Sequence, residues 1–490
     1  MVATFQAHPI LSETERTLRD RFQPIFDEIR EGAIEREQSR ELAFESVKRL
    51  REAGFLALRI PQEHGGSGAT LPQLFRLLVA LGEADSNLPQ ILRAHFAFVE
   101  GRLNALEDEN REVWYERVVN GALFGAAMAE RTAATETTVT LTRTDDDQWT
   151  LNGDKYYSTG TIYANWIVAA ARDGETRVSL AVPTDRPGVS VVDDWDGFGQ
   201  RLTGSGTTRF RDVHLDDAHV IRRFEAGQHP SDTYITAFYQ TFHLAALAGI
   251  ANAVLRDAIA FVQAKTRTFG VPGLTNPRED PLVQRVIGRL SSLAFSTNAI
   301  VDQVSATMQA VHEARLAGKA EPSVYAAADI QAFQGQQIAI EQVLEAATLL
   351  FEVGGASAVS ESRRLDRHWR NARTLASHNP AIQRERAIGD FYLNDKTPDA
   401  VWREAFEKKS AEATSASDAT AHSDVAAHSD VAAHSDVAAN SNVIANSDVI
   451  ANSDAIANSS ATADSAATSD LHATADSDAT ADSDATQEYL

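Results

Sequence analysis

Cysteine is missing from the whole chain of 490 residues. This absence excludes disulfide bonds, a thiolate nucleophile, iron–sulfur ligation and cysteine-based zinc sites. Any chemistry must therefore depend on histidine, hydroxyl groups, carboxylates or a bound cofactor, and we predict no metal site.

Basic residues are also few, since 45 Lys and Arg stand against 69 Asp and Glu, for a net charge of −24. Phosphate binding needs concentrated positive charge, so this balance argues against a nucleic-acid partner. Only seven of the basic residues are lysine. Such a composition fits a high-salt cytoplasm or a GC-rich genome, and the sequence does not separate the two.

Long apolar runs are absent as well. The longest, Leu244–Ile250, is flanked by His243 and Asn252, and it falls short of the ~20 residues that a membrane span needs. The first residues form neither a basic nor an apolar leader segment, and Val2 stands where myristoylation requires glycine. These features predict a cytoplasmic protein with no membrane partner.

Hydrophobic periodicity divides the chain into three parts. Helical spacing dominates residues 12–120, short segments rich in Val, Thr and aromatics occupy 123–220, and helical spacing returns from 233 to 392. The pattern predicts an α+β protein. We place its boundaries at an N-terminal helical domain (1–121), a middle β domain (122–230) and a C-terminal helical bundle (231–406).

Residues 407–490 have a different composition, built mainly from Ala, Ser, Asp, Asn, Thr and Val with six-residue repeats such as His422–Ala427. The stretch 410–490 carries −14 of the total charge, which leaves −10 for 1–409. A parallel β-helix is disfavoured because its apolar positions are mostly Ala. Nothing fixes the geometry of the three repeated His for metal binding. The composition favours a disordered acidic low-complexity tail.

Common catalytic motifs for dinucleotide, nucleotide, zinc-protease and serine-hydrolase chemistry are absent. Glycine clusters at Gly65–Gly68, Gly204–Gly206 and Gly354-Gly355 are typical of turns. Asn152-Gly153 predicts a further turn, which would end a strand at Trp149–Leu151.

Five arginines lie within the eleven residues Arg363–Arg373. Arg367, Arg370 and Arg373 are spaced three apart and would share a helix face suited to an anionic ligand such as a phosphate. An intersubunit salt-bridge network is an equal alternative.

Several separated segments resemble the acyl-CoA dehydrogenase superfamily of flavoproteins over about residues 10–405. They are Ile60–Gly68, Ala129-Glu130, Leu151–Gly160, Thr207–Leu215 and the Arg-rich segment. The resemblance implies an N-terminal helical domain, a middle β-barrel, a C-terminal four-helix bundle, and a homotetramer with flavin at the domain junction.

Acyl-CoA dehydrogenation needs a carboxylate base, and the superfamily keeps this Glu at one of two positions. By the resemblance, these positions fall on Asn379 and Tyr239. Neither residue is a carboxylate, so the usual dehydrogenase chemistry loses its base.

A second set of segments resembles the dibenzothiophene monooxygenase branch and related sulfur-acquisition oxidoreductases. The set comprises Tyr157–Gly160, Asp193-Asp194-Trp195, Thr203–Thr207, Trp369–Thr374 and His378-Asn379-Pro380. Two polar residues of that branch are replaced by Ala126 and Leu375, so a different small organosulfur substrate fits as well as dibenzothiophene does.

This resemblance implies a site for reduced FMN that a separate flavin reductase supplies. His378 and His95 would flank the reactive face, and Thr159 would hydrogen-bond flavin N5. Arg267 would hold the FMN phosphate from a neighbouring subunit. The remaining implied contacts are Ala126, Ala127, Met128, Ala129, Glu130, Arg131, Lys155, Tyr156, Tyr157, Ser158, Ala356 and Ser357.

The implied reaction is monooxygenation. Reduced flavin and O₂ give a C4a-(hydro)peroxide whose distal oxygen passes to a nucleophilic sulfur, while a nearby imidazole hydrogen-bonds the peroxide. His378 is the first candidate for that imidazole and His95 the second. His95 has an alternative interpretation as a core histidine satisfied by the backbone.

Two other functions stay open from the sequence. One is an FAD-dependent acyl-CoA dehydrogenase with a relocated base. The other is a non-catalytic interaction protein whose acidic tail binds a partner.

Overall fold

The computed structural model describes residues 12–108, 110–132, 137–224, 234–266 and 276–400. The predicted FMN-phosphate ligand Arg267 and the predicted acidic tail, 407–490, lie outside these ranges.

The N-terminal part is helical, as predicted. Its helices α1–α6 are Glu13–Glu31, Ala33–Ser39, Phe44–Glu52, Leu71–Ala84, Asn87–Asn104 and Arg111–Val119. Helix α4 begins with a capping box in which Thr70 and Gln73 exchange side-chain and backbone hydrogen bonds. Helix α1 buries Leu18, Phe22 and Phe26, which recur at helical spacing, and so packs against α4.

The middle part is a mixed sheet of eight strands. Strands β1–β8 are Phe124–Ala127, Thr140–Arg143, Trp149–Lys155, Trp166–Asp173, Thr176–Pro183, Val189–Val191, Thr208–Leu215 and Val220–Phe224. The order is β6-β7-β3-β2-β4-β5-β8, and β1 also pairs with β4. The β1·β4 and β2·β4 pairs are parallel and the others antiparallel.

The turn predicted at Asn152-Gly153 is wrong, because β3 continues through both residues to Lys155. The pairing register with β7 shifts between Leu151 and Gly153, where Gly153 has φ +135°. Asn152 is held there by two hydrogen bonds with Asp212, at 2.8 and 3.1 Å. The local turn signal therefore marks a β-bulge.

The C-terminal part is helical again. Helices α7–α11 are Tyr234–Ala264, Pro281–Leu316, Pro322–Leu349, Asp366–His378 and Ala381–Asn394. Helix α7 contacts α4, α5, α8 and α9. Of the described helices, α7 alone is long and apolar enough to cross a membrane, but 72% of its most apolar window is buried inside the protein.

The arginines of α10 do not form an open anion-binding face. Arg367 Nη2 lies 2.8 Å from Asp257, and Arg370 Nη1 lies 2.8 Å from the buried Glu37. Arg373 donates to Ser377 Oγ at 3.2 Å. The first two therefore belong to a salt-bridge network, within one chain rather than between subunits, that fixes α10 against α7 and the N-terminal helices.

Candidate active site

The last residue of α10, His378, meets Arg93 of α5. Arg93 Nη2 donates to His378 Nε2 at 3.0 Å. His378 Nδ1 lies 3.2 Å from Asn379 Oδ1. Because arginine can only donate, Nε2 is the acceptor, and the network assigns the ring proton to Nδ1. In this arrangement Nε2 is the accepting nitrogen of His378.

A buried polar layer lies behind His378. Asn379 Nδ2 donates to Gln240 Oε1 at 2.7 Å, and the rings of His243 and His378 lie 4.4 Å apart between centroids. The pKa of His243 is held well below its ordinary value by burial, and then by the electrostatic effect of its neighbours His378, Arg93 and Arg384.

The two positions that the resemblance assigned to a base lie near His378 and Arg93. Asn379 directly follows His378, and its Oδ1 lies 3.2 Å from His378 Nδ1. The Arg93 guanidinium lies over the Tyr239 ring, 4.8 Å from its centroid. Neither position holds a carboxylate, and a cation contacts one of them.

A chain of hydroxyl groups begins at Thr159. Thr159 Oγ1 and Thr203 Oγ1 each lie 2.8 Å from Ser205 Oγ, and all three residues are buried. The backbone pairs the same segments, since Ser158 N donates to Gly206 O and Gly160 N to Thr203 O, both at 3.0 Å. The segments around Thr159 and Thr203 are thus joined.

The hydroxyl chain continues into the other domains. Thr203 Oγ1 donates to Gln200 O at 2.8 Å, and Gln200 N donates to Asn371 Oδ1 of α10 at 2.7 Å. Asn371 Nδ2 in turn donates to Ser86 Oγ, just before α5, at 3.0 Å. All three parts of the chain therefore meet where the predicted site lies.

Residues Ala126 to Arg131 run out of the end of β1. Ala126 and Met128 are half-buried and alternate with the buried Ala127 and Ala129. Arg131 lies over the ring of Tyr156, 4.4 Å from its centroid. One edge of this segment is thus open to a ligand.

Lys155 and Glu130 form an ion pair with each other. Lys155 Nζ lies 2.7 Å from Glu130 Oε1 and also donates to Met128 O and Thr137 Oγ1. Burial by itself raises the pKa of Glu130, but Lys155 and the neighbouring hydroxyl groups hold it below its ordinary value. The geometry makes this pair a brace between β1 and β3.

Two buried donors beside this segment have no partner in the described part of the chain. They are Ser158 Oγ and Trp195 Nε1. Tyr157 directly precedes Ser158, with φ +56° and its ring 6.2 Å from that of Trp195. Such donors suit a ligand that presents acceptor atoms along its edge, as the flavin ring does, so the residues present fit this cofactor.

His95 has a buried environment of its own. It is 0% exposed, with Nε2 2.9 Å from Leu56 O and Nδ1 accepting from Phe124 N at 3.4 Å. Burial, first, and the charge of Arg51 lower the pKa of His95 to about 4. These contacts are those of the alternative interpretation, a core histidine.

Ala356 and Ser357 lie on an exposed 3₁₀ helix, Gly355–Val359. Lys265, at the end of α7, donates to the carbonyl oxygens of Val353 and Gly354 at 2.9 and 3.1 Å. The predicted ligand segment 356–357 therefore lies beside the chain that leads to Arg267.

Arg93, His243, Trp195 and Ser205 were not among the sequence-predicted site residues. A signal for Arg93 exists, since it is a charged residue within Leu88–Phe98, a segment with apolar residues at helical spacing. Trp195 and Ser205 lie in two of the segments that carry the resemblance, Asp193-Asp194-Trp195 and Thr203–Thr207. His243 has no comparable signal, because its role comes from partners far along the chain.

Family models match nearly the whole described chain. The acyl-CoA dehydrogenase N-terminal, middle and C-terminal domain models match residues 12–122, 125–213 and 241–382, respectively.

Three individual proteins are similar over most of their lengths. A probable FMNH₂-dependent monooxygenase, SfnC of Pseudomonas putida, is 28% identical over 71% of this chain and 88% of its own. The dibenzothiophene monooxygenase of Rhodococcus qingshengii is 25% identical over 75% and 91%. The crystal structure of TdsC from Paenibacillus sp. A11-2 with FMN and indole is 27% identical, with a TM-score of 0.71 over 78% and 98%.

Proposed function

The chain belongs to the acyl-CoA dehydrogenase family, and within it we propose a two-component, FMNH₂-dependent monooxygenase that oxygenates an organosulfur compound. The observation that carries this proposal is the cation beside the expected base positions: Arg93 contacts His378, which precedes Asn379, and lies over the ring of Tyr239. Both base positions lack a carboxylate, and the similar proteins named as monooxygenases support the same direction.

The residues proposed to hold FMN are those implied by the resemblance. Ala126 to Arg131 and Tyr156 to Thr159 would border the ring, with Ser158 Oγ–H and Trp195 Nε1–H as donors to it. Lys155 would act through its brace to Glu130. Arg267, Ala356 and Ser357 of a neighbouring subunit would hold the phosphate end. Reduced FMN, when bound, supplies the electrons that activate O₂.

His378 is proposed as the proton-handling group, and Arg93 sets how it acts. While Arg93 donates to Nε2, that nitrogen has no proton to donate. The guanidinium N–H groups would then be the donors to an oxygen atom bound at this point. His378 can take up a proton at Nε2 when Arg93 moves to another acceptor. A direct role of His95 in the reaction is the second choice within this proposal. Its contacts with the backbone favour a structural role instead.

Several finer features belong to the same proposal. We propose domain boundaries at 1–121, 122–230 and 231–406, a closed middle barrel, a four-helix C-terminal bundle, a homotetramer, and a cytoplasmic location. Composition is the support for a disordered tail at 407–490.

The test supplies the purified protein with FMN, NADH, a flavin reductase, ¹⁸O₂ and a set of sulfides, sulfoxides and sulfinates. We expect a product containing one ¹⁸O atom per turnover, identified by mass spectrometry. Bleaching of bound flavin by an acyl-CoA without O₂, and no labelled product, would favour the dehydrogenase alternative. Failure to bind any flavin at micromolar concentration would favour an interaction protein.

A further inference from the structure

Arg93 is a buried cation without a counter-ion among the described residues. The residue is 5% exposed, and its Nε has no hydrogen-bond partner among the described residues. Its described contacts are His378 Nε2, a neutral acceptor, and the face of Tyr239. No Asp or Glu oxygen of the described chain lies within 4.0 Å of the guanidinium.

Two other arginines of the described chain with similarly low exposure are paired. Arg59 contacts Glu100 through two bonds of 2.9 and 3.0 Å, and Arg367 contacts Asp257 at 2.8 Å. Burying an unpaired charge is costly, so folded proteins usually supply a counter-ion. Arg93 has no carboxylate partner among the described residues, which points to a bound anion as its counter-ion.

A second cation acts on the same buried residues as Arg93. His243 Nε2 is buried without a partner in the described part of the molecule, next to His378. Arg93 and Arg384 both lower the pKa of His243. The carboxylate of Asp329 acts on Arg384. The junction of α5, α7 and α10 therefore favours an anion as the ligand.

We propose that this anion is the substrate, and that Arg93 selects a sulfinate over neutral sulfides and sulfoxides. This inference rests on the proposed monooxygenase function. The planar guanidinium presents several N–H donors to the two oxygens of a sulfinate and leaves the sulfur lone pair free to react. A neutral sulfoxide presents one oxygen and no charge, so it would leave the buried cation unpaired.

The reaction balances with the components already proposed. A sulfinate, RSO₂⁻, reacts with O₂ and FMNH₂ to give the sulfonate RSO₃⁻, FMN and water. One atom of O₂ forms the new S–O bond with the sulfur lone pair. The other leaves as water with the two electrons and two protons of the reduced flavin.

The test compares methanesulfinate with dimethyl sulfoxide, in which a methyl group replaces the charged oxygen. Binding to the FMN-loaded, oxidised full-length protein is measured by calorimetry, without turnover. We expect the wild type to prefer methanesulfinate by about 100-fold, as for a buried charge pair. Arg93→Gln should lose most of that preference, while Arg93→Lys should retain part of it. Arg289→Gln, which removes an exposed arginine paired with Glu345, is the matched control and should change nothing.

Two outcomes separate this inference from the proposed function. The selection by Arg93 is overturned if the wild-type protein binds dimethyl sulfoxide as tightly as methanesulfinate. It is also overturned if Arg93→Lys and Arg93→Gln both keep the full preference. If ¹⁸O still enters sulfides or sulfoxides in that case, the monooxygenase proposal stands. If ¹⁸O enters neither sulfides, sulfoxides nor sulfinates, the monooxygenase proposal itself fails. Thermal unfolding of each variant checks that the fold is intact.

Discussion

Arg93 and His378 are 285 residues apart in sequence, and 3.0 Å separates Arg93 Nη2 from His378 Nε2. This contact joins α5 to the end of α10 and gives His378 a defined proton arrangement. It also makes the imidazole and the guanidinium a functional unit, because a ligand that draws Arg93 away exposes Nε2.

Replacing His378 tests its role in the reaction. We expect His378→Asn to lower oxygenated product by about 100-fold, as for loss of a proton-handling group, while FMN still binds. Reduced FMN would then be consumed without product, which an assay of both quantities reveals. Ser377→Ala, at the exposed preceding residue, should behave as the wild type. Unchanged product in His378→Asn would remove His378 from the mechanism.

Replacing His95 should affect stability more than chemistry. His95→Leu leaves the Leu56 carbonyl and the Phe124 amide without their partner, so we expect a loss of about 2 kcal/mol in the free energy of unfolding. Denaturant unfolding measures this loss. A variant of normal stability that no longer forms product would instead place His95 in the reaction.

The same histidine predicts a pH dependence. Burial lowers the pKa of His95 to about 4 in the fold, from about 6.5 in the unfolded chain. The unfolded state therefore binds more protons, and stability falls as the pH drops from about 6.5 towards 4. His95→Leu should show a shallower fall than the wild type across that window. Urea unfolding at several pH values measures this fall. If the free energy of unfolding falls equally with pH in both proteins, His95 is not the group responsible.

The Lys155–Glu130 pair predicts a non-additive result. Either Lys155→Met or Glu130→Gln leaves one buried charge, so each should cost about 3 kcal/mol. The double variant should recover much of that loss, since neither charge remains. A double-mutant cycle in denaturant measures the coupling, and simple addition of the two single effects would show that the pair is not a brace.

The proposed role of Arg267 predicts that its replacement affects the binding of FMN and of riboflavin differently. If it holds the FMN phosphate, Arg267→Gln should weaken FMN binding about 10-fold or more and leave riboflavin binding unchanged. Fluorescence titration measures both constants. Arg278→Gln, at an exposed arginine nearby in sequence, is the control. Equal weakening for both flavins would argue for a general effect on the fold.

Periodicity predicted the order of helical and β parts, because each signal is local. The segments around Thr159 and Thr203 could also be assigned to one site by resemblance, and their hydrogen bonds agree. The role of Arg93 could not be assigned, since it depends on a contact with His378, which is 285 residues away in sequence. The turn signal at Asn152-Gly153 failed because Asp212, a distant partner, holds the strand extended.

The contact between Arg93 and Tyr239 limits what a carboxylate base could do at that position. A glutamate placed at position 239 would lie beside the Arg93 guanidinium, and the two would form an ion pair. Such a carboxylate would hold its charge strongly and be poorly able to abstract a proton. Dehydrogenase chemistry from that position would therefore require a second change, at Arg93, in addition to the new carboxylate.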